Sequence, residues 1–181
     1  MDQGALSVIR ALKEAGFEAY LVGGCVRDLL LGRTAHDWDI TTSAKPPEIS
    51  RVIERAGWKA IDVNGSTFGV ITAVIDKRNY EVASFRGEQY GSDSHRPEKI
   101  WMVGSLKEDL ARRDFTVNAM AIKLLDNDNF EIIDFVDGKK DLENKLIRAV
   151  GNPDERFKED ALRLLRAVRF ATQLEFKIED Q

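Results

Sequence analysis

Residues 19–41 read AYLVGGCVRDLLLGRTAHDWDIT, and this stretch decides the fold. Its β-rich run Ala19–Val22 is broken by Gly23-Gly24, which lead into a helix predicted over Val26–Leu31. The run Asp37–Thr41 predicts a second strand shortly after that helix. A strand, a Gly-Gly turn, a helix and a second strand in this order indicate a mixed sheet flanked by helices, in the α+β class.

Asp37 and Asp39 are the most informative pair in this stretch. Side chains alternate along a strand, so both carboxylates should point to one face while Trp38 and Ile40 point to the other. Carboxylates held side by side repel each other unless a cation lies between them, and such oxygen ligands suit Mg²⁺ together with substrate phosphates. Asp-x-Asp alone also occurs on solvated strand faces, so the prediction of catalytic Mg²⁺ ligands depends on what precedes it.

The two glycines supply that context. Gly23 and Gly24 let the backbone approach a triphosphate closely, the N-terminus of the following helix favours an anion, and Arg27 in that helix can bind it. A Gly-Gly before a helix is more often only a turn. Followed by Asp-x-Asp, it predicts a nucleoside triphosphate site that includes Gly23, Gly24 and Arg27.

A third acid is expected for a two-metal site, in which one ion activates the attacking hydroxyl and the other holds the triphosphate. Glu81 lies early in the β-rich run Tyr80–Phe85, which could lie beside the Asp37 strand. We predict Glu81 as the third catalytic acid, and an exposed strand acid is the alternative interpretation.

The rest of the chain alternates between helix and strand signals. The predicted elements are a helix around Leu6–Leu12 ending at Gly16, a helix from Pro46 to Ala56, strands Phe68–Ile75 and Tyr80–Phe85 joined by the polar residues 76–79, a loop over Gly87–Lys99, a helix capped by Ser105, strands Ala121–Leu125 and Phe130–Phe135 around a turn at 126–129, and a long helix Asp154–Gln173. We therefore predict one domain over residues 1–150 and the beginning of a helical, truncated segment over 151–181.

The composition excludes several classes of protein. With 43% hydrophobic and 32% charged residues among 181, the chain is typical of a soluble globular protein. The single cysteine, Cys25, excludes an internal disulfide framework and suits a cytoplasmic protein. No apolar run approaches the ~20 residues of a membrane span. The net charge of −4 predicts that any contact with RNA is local, or that the main RNA-binding segment lies outside these residues.

These segments together resemble the bacterial-type tRNA nucleotidyltransferases, the CCA-adding family, and the related bacterial poly(A) polymerases. The matching segments occur in the family's order and are LVGGCVRD (21–28), DWD (37–39), RRDFTVNAM (112–120), DG (137–138) with DL (141–142), and EDALR (159–163). The resemblance implies a polymerase-β-like nucleotidyltransferase head over 1–150 and the start of an all-α neck over 151–181. It also implies that the family's later helical body and tail, which grip the tRNA, are absent here.

The resemblance implies that the RRDF segment binds the incoming nucleotide. Asp114 would contact the ribose 2′-hydroxyl, which is a direct way for an enzyme to select ribose over deoxyribose. Arg112 or Arg113 would bind phosphate, and Asn118 would belong to the same nucleotide site. Without the resemblance, Arg-Arg-Asp would be interpreted as a solvated helix end.

The neck helix is implied to choose the base without a template. At about 100° per residue, Asp160 and Arg163 would lie about 60° apart on one flank of the helix. An acceptor and a forked donor at this spacing could reach one planar base together, and in the family Glu-Asp-x-x-Arg reads CTP and ATP. The alternative is a surface ion pair. Arg166 could add a phosphate contact.

We therefore predict an enzyme that transfers CMP and AMP from CTP and ATP to the 3′ end of tRNA, with Mg²⁺ as cofactor, no membrane association and no obligate protein partner. The loop 86–97 has the length found in family members that add A, although His95 stands where the family commonly has arginine. An enzyme that adds only A, or a poly(A) polymerase, is the alternative within the family. A non-catalytic RNA-binding protein is the alternative outside it.

Overall fold

The computed structural model describes residues 1–62, 69–90, 97–125 and 129–180. In chain order its elements are α1 (Gln3–Glu14), β1 (Ala19–Val22), α2 (Gly24–Leu30), β2 (Asp39–Thr42), α3 (Pro46–Arg55), β3 (Lys59–Ile61), β4 (Val70–Ile75), β5 (Arg78–Ser84), β6 (Arg86–Tyr90), β7 (Pro97–Met102), α4 (Leu106–Ala111), β8 (Met120–Leu124), β9 (Phe130–Asp134), α5 (Gly138–Glu143), β10 (Leu146–Ile147), α6 (Pro153–Glu159), α7 (Leu162–Leu174) and β11 (Lys177–Ile178). A short 3-10 turn, Thr116–Asn118, precedes β8.

A mixed seven-stranded sheet forms the centre of the molecule, in the order β3-β4-β5-β2-β1-β8-β9. β2 and β5 run parallel, and the other neighbours in this sheet run antiparallel. β6 pairs with β7 in a separate antiparallel sheet, and β10 pairs with β11 in a separate parallel one. The predicted mixed sheet flanked by helices is therefore confirmed.

The two faces of the sheet differ in chemistry. Ile40 on β2 and Val82 on β5 lie side by side and belong to the main core, which α1 and α3 cover. One residue earlier on each strand, Asp39 and Glu81 lie side by side. Because side chains alternate along a strand, this acidic pair points to the opposite face, where α4 contributes Leu110 to a smaller core cluster.

The predicted β4–β5 hairpin is confirmed, but its turn is shorter than the polar residues 76–79. Arg78 and Ile75 are already paired, so Asp76 and Lys77 alone make the turn. Both have positive φ, 48° and 65°, as in a type I′ turn, whose twist matches that of the strands it joins.

The loop predicted over Gly87–Lys99 is wrong at both ends, because β6 and β7 pair across it with Glu88 opposite Ile100. This hairpin lies outside the main sheet, so the segment lacks the regular apolar alternation by which a half-buried strand is predicted. Residues 91–96, which include His95, lie outside the described residues, as do residues 126–128 of the predicted turn.

The long helix predicted over Asp154–Gln173 is interrupted. Asn152 caps α6 as predicted. Asp160, however, has extended backbone angles (φ −147°, ψ 106°), and its Oδ1 accepts a hydrogen bond of 2.9 Å from the backbone N–H of Leu162. A short polar side chain competes with the helix for backbone donors in this way, so Asp160 ends α6 and caps α7.

α7 packs onto the rest of the molecule through the ring of Phe170, which meets the ring of Phe115 edge-on at 5.8 Å between centroids. Ala167 and Leu174 are buried on the same side. Sequence periodicity places Leu164, Leu165 and Val168 on one face of this helix, but these residues are 51%, 68% and 58% exposed. In the described part of the chain, no helix is long and apolar enough to cross a membrane.

Candidate active site

Asp39 is the first residue of β2, and both neighbouring strands pair with it. Its partners are Val22, the last residue of β1, and Glu81 of β5. The predicted pairing of the Glu81 run with this strand is therefore confirmed. The strand predicted over Asp37–Thr41 is wrong at its start, because β2 begins at Asp39, opposite the last residue of β1. Strand alternation consequently does not fix where the Asp37 side chain points.

The three carboxylates nevertheless act on one another. Burial raises the pKa of the Asp39 carboxyl above its ordinary value, and the negative charges of Glu81 and Asp37 raise it further, whereas the guanidinium of Arg113 lowers it. Asp37 and Glu81 are exposed, while Asp39 is half-buried. Acids that repel each other at the edge of a cleft form a site that a cation would stabilise.

Gly23 brings the backbone against this acidic site. Its φ of 76° and ψ of −138° are angles that L side chains rarely adopt. A Cβ placed on Gly23 would lie 3.3 Å from Nη1 of Arg113 and 3.4 Å from Oδ2 of Asp39. The glycine therefore lets the turn before α2 pass between a carboxylate and a guanidinium.

Arg27, one turn into α2, is held firmly by its surroundings. Only 6% of the residue is exposed. Its Nη1 donates to Oδ1 of Asn118 at 2.7 Å, its Nε donates to Oδ1 of Asp28 at 2.9 Å, and its guanidinium lies 5.4 Å from the centroid of the Phe170 ring. Asn118, expected in the nucleotide site, thus fixes the orientation of Arg27.

The two arginines of the RRDF segment have different surroundings. Arg112 donates to Asp109 Oδ1 through Nε (3.1 Å) and Nη2 (3.0 Å) and to Glu88 Oε1 through Nη1 (2.6 Å). Arg113 contacts Oδ2 of the same Asp109 at 3.3 Å and also lies close enough to Asp39 to lower its pKa. Of the two, Arg113 therefore faces the acidic site.

Asp114 links the RRDF segment to α7. Its Oδ2 accepts from Arg166 Nε at 2.7 Å and forms an ion pair of the same length with Nη2. Arg166 and Arg169 also lie over the Phe170 ring, at 5.2 and 4.8 Å from its centroid. The carboxylate expected at the ribose and the arginine expected at a phosphate are thus direct partners.

Asp160 and Arg163 are not side by side on one helix, contrary to the prediction, because Asp160 lies outside α7. Arg163 is 5% exposed and pairs with Glu159 Oε2 at 2.6 Å. Both residues still line the same cleft. The geometry predicted for the pair is therefore wrong, while their shared location at one cavity is observed.

Two adjoining clefts contain all of the predicted site residues. The larger, of about 520 Å³, is lined among others by Asp39, Glu81, Arg112, Arg113, Asp114, Asp160, Arg163 and Arg166. The smaller, of about 340 Å³, is lined among others by Gly23, Gly24, Arg27, Asp37, Asp39, Arg113, Asp114, Asn118 and Arg166. The clefts share Asp39, Arg113, Asp114 and Arg166 and so meet at the acidic site.

Sequence reasoning missed four residues at this site. Asp109 precedes the arginine pair by three and four residues on a helix, a spacing that could have identified it. Phe170 and Arg169 lie one turn beyond Arg166 on α7. Glu88 gives no comparable signal, because its contact with Arg112 joins residues that are distant in sequence.

The donor set fits a divalent cation that completes its shell with substrate. Among the described residues, no three His, Cys, Asp or Glu side chains are arranged as a ready metal site. Mg²⁺ is usually held by one or two carboxylates together with phosphates and water. Asp37 and Asp39 can supply these carboxylates. Burial raises the pKa of the Cys25 thiol to about 11, so this nearby group stays protonated at neutral pH.

Comparison with known proteins gives a consistent result. Residues 19–148 match the Poly A polymerase head domain family. A CCA-adding enzyme of Enterococcus faecalis is 51% identical over 177 residues, which cover 98% of this chain and 41% of that protein. A CCA-adding enzyme of Ligilactobacillus salivarius is 50% identical over 175 residues, 97% of this chain and 41% of that protein.

Solved structures of CCA-adding enzymes are similar to this chain in fold. The Bacillus stearothermophilus CCA-adding enzyme in complex with CTP has a TM-score of 0.84 and 42% identity, covering 98% of this chain and 40% of that one. The Thermotoga maritima CCA-adding enzyme complexed with tRNA has a TM-score of 0.78 and 30% identity, covering 100% of this chain and 40% of that one. This chain spans about two fifths of the length of these relatives. From the match over most of its length, the chain belongs to the Poly A polymerase head domain family.

Proposed function

We propose that this chain carries the active site of a tRNA nucleotidyltransferase that adds CMP and AMP from CTP and ATP to the 3′ end of tRNA without a template. The observation that carries the proposal is the meeting of two clefts at Asp39, with Glu81 beside it and Gly23 and Arg113 against it. The similarity to CCA-adding enzymes, one of them in complex with CTP, supports this activity and substrate class.

Asp37 and Asp39 would hold Mg²⁺ at this junction. When bound, the cation supplies charge neutralisation for the triphosphate and a lowered pKa for the attacking hydroxyl of the RNA. Glu81 adds a third negative charge next to Asp39, which strengthens the affinity of the site for cations. Without the carboxylates at this edge, the cleft would have no negative charge to balance that of the metal.

The smaller cleft suits the triphosphate. Gly23 and Gly24 expose backbone at the start of α2, and Arg27 and Arg113 add positive charge. Asp114 and Arg166 line both clefts and so stand between the phosphates and the base, where the ribose would lie. In this arrangement Asp114 exchanges part of its ion pair with Arg166 for the 2′-hydroxyl.

The larger cleft suits the base. Asp160 and Arg163 both line it, and they are the acceptor and the forked donor that a cytosine or adenine edge requires. The Asp160 carboxylate is held by its hydrogen bond from the Leu162 N–H, and the Arg163 guanidinium is buried. Both groups are therefore fixed before the base arrives, although they do not share one helix face. Preorganised groups of this kind discriminate well, because a wrong base leaves them unpaired.

We further propose that residues 1–150 form the catalytic head, that 151–181 begin the neck, and that the protein works in the cytoplasm. The test of the activity is to supply the full-length protein with CTP, ATP and tRNAs ending before C, CC and CCA, and to sequence the 3′ ends of the products. Addition that stops at CCA supports the proposal. Addition of A alone identifies an A-adding enzyme, a long A tail identifies a poly(A) polymerase, and no addition at all favours a non-catalytic RNA-binding protein.

A further inference from the structure

Asp109 is the most enclosed charged group near the acidic site. None of its surface is exposed, although it lies one residue from the exposed Glu108 on α4. A buried carboxylate is costly unless several donors satisfy it, and the donors that satisfy it are then fixed in turn. The identity of those donors therefore indicates what the residue does.

The donors to Asp109 come from three parts of the site. Oδ1 accepts from the Arg112 guanidinium and, at 3.2 Å, from the backbone N–H of Arg86 on β6. Oδ2 accepts from Arg113 Nη2 and from Thr41 Oγ1, each at 3.3 Å. Thr41 lies two residues after Asp39 on β2. One carboxylate thus connects Arg113 to the strand that carries Asp39.

The two arginines are held to different extents. Arg112 is enclosed between Asp109 and Glu88, so its charge is largely neutralised by protein groups. Glu88 also forms an ion pair with Arg86 at 3.1 Å. Arg113, by contrast, makes one side-chain hydrogen bond among the described residues, from Nη2 to Asp109 at 3.3 Å, and its Nη1 lies beside the turn at Gly23. Since Arg113 lines both clefts, it retains donors for an incoming anion.

We propose that Asp109 is a positioning residue, which holds Arg113 at a fixed distance from Asp39 so that this guanidinium, and not that of Arg112, binds the phosphates of the nucleotide. The inference rests on the proposed function, because it takes the anion to be a nucleoside triphosphate. Asp109 itself does not touch the nucleotide. Arg112, paired with Glu88 and Asp109, closes the other side of the cluster and keeps the Asp109 carboxylate ionised.

The proposal is tested by a double-mutant cycle read through CTP binding. NMR titration with CTP and Mg²⁺ into the millimolar range would compare the wild type with Asp109→Asn, Arg113→Ala and the double variant. Asp109→Asn alone should weaken CTP binding about tenfold or more, the effect of one lost charge-assisted contact. In the Arg113→Ala background it should have almost no further effect. Glu108→Gln, the same chemical change on the exposed side of α4, is the matched control and should bind CTP like the wild type.

Equal weakening by Asp109→Asn in both backgrounds would overturn the proposal, because the residue would then act without Arg113. If Asp109→Asn fails to fold, Thr41→Val removes one contact to Oδ2 at nearly constant volume. It should weaken CTP binding about two- to threefold, again only when Arg113 is present. If the wild type binds CTP but the full-length protein transfers no nucleotide to tRNA, the proposed activity is refuted and the positioning role stays intact. A wild-type chain that binds no CTP would refute both.

Discussion

Asp39 on β2 lies directly opposite Glu81 on β5, in a parallel strand pair. Val22, the last residue of β1, flanks Asp39 on the other side, so the acidic pair lies where β1 gives way to the Gly-Gly turn. Binding sites commonly form where neighbouring strands end and the chain leaves the sheet.

We expect Gly23→Ala to weaken nucleotide binding more strongly than its loss of folding stability alone would explain. The left-handed φ costs about 1–3 kcal/mol of stability for a residue with a Cβ, and that Cβ would also crowd Arg113 and Asp39. Gly16→Ala is the matched control, because Gly16 also has positive φ (89°) but no neighbouring atom within 4 Å of its Cβ position. Thermal melts of both variants should show a loss of stability, larger for Gly23→Ala, and CTP titrations should show a loss of affinity only for Gly23→Ala. Equal affinities would contradict the close approach.

Arg112→Ala and Arg113→Ala should separate stability from binding. Removing Arg112 leaves the buried carboxylates of Asp109 and Glu88 without their main partner, so we expect a loss of about 3 kcal/mol in the free energy of unfolding. Removing Arg113 should cost less stability but more CTP affinity. Chemical denaturation and CTP titration measure the two effects. The reverse ranking in both assays would show that Arg112 is the phosphate ligand.

Asp109→Asn should also change how stability depends on pH. Burial alone would raise the pKa of Asp109, but Arg113 and Arg112 outweigh it and lower the pKa below the ordinary 3.8. A carboxyl with a lowered pKa in the folded state contributes stability that is present above pH 3.8 and is lost as the pH falls through the folded value. The difference in unfolding free energy between the wild type and Asp109→Asn should therefore be constant near neutral pH and shrink in acid. A difference that grew in acid would contradict the ion-pair assignment.

Asp160→Asn should blur base selection while α7 stays intact. The asparagine keeps an oxygen that can accept from the Leu162 N–H, so the helix cap survives, but the side chain gains a donor where the base expects an acceptor. Competition between all four nucleoside triphosphates should show discrimination reduced by about 1–3 kcal/mol. Unchanged selectivity, in this variant and in Arg163→Ala, would leave Asp160 as a capping residue alone.

Much of the secondary structure could be predicted from local sequence patterns. Ala19–Val22, the helix beginning near Pro46 and the strand pair around residues 120–135 follow from apolar runs bounded by Gly, Pro or polar turns. The pairing of the Glu81 run with the Asp39 strand could also be predicted, because both runs are short, β-rich and acidic at corresponding positions. The joint location of the site residues followed from the order of the motifs.

What could not be predicted depends on side-chain hydrogen bonds and strand pairing that sequence periodicity does not encode. Asp160 interrupts a helix whose periodicity continues through it, because its side chain captures the Leu162 N–H. Asp37 falls outside β2 because β1 ends at Val22, which is a property of the partner strand. Glu88 reaches Arg112 only after β6 pairs with β7. Sequence periodicity contains none of these conditions.

The most direct test of the central claim is the Mg²⁺-dependent incorporation of labelled CMP and AMP into tRNA lacking its CCA end, by the full-length protein as wild type, Asp37→Ala and Asp39→Ala. We predict incorporation with release of pyrophosphate by the wild type, and none by either variant, although both variants stay folded because the loss of one charge relieves repulsion among the acids. Near-normal incorporation by Asp39→Ala, or incorporation by the wild type that does not require a divalent cation, would contradict the account.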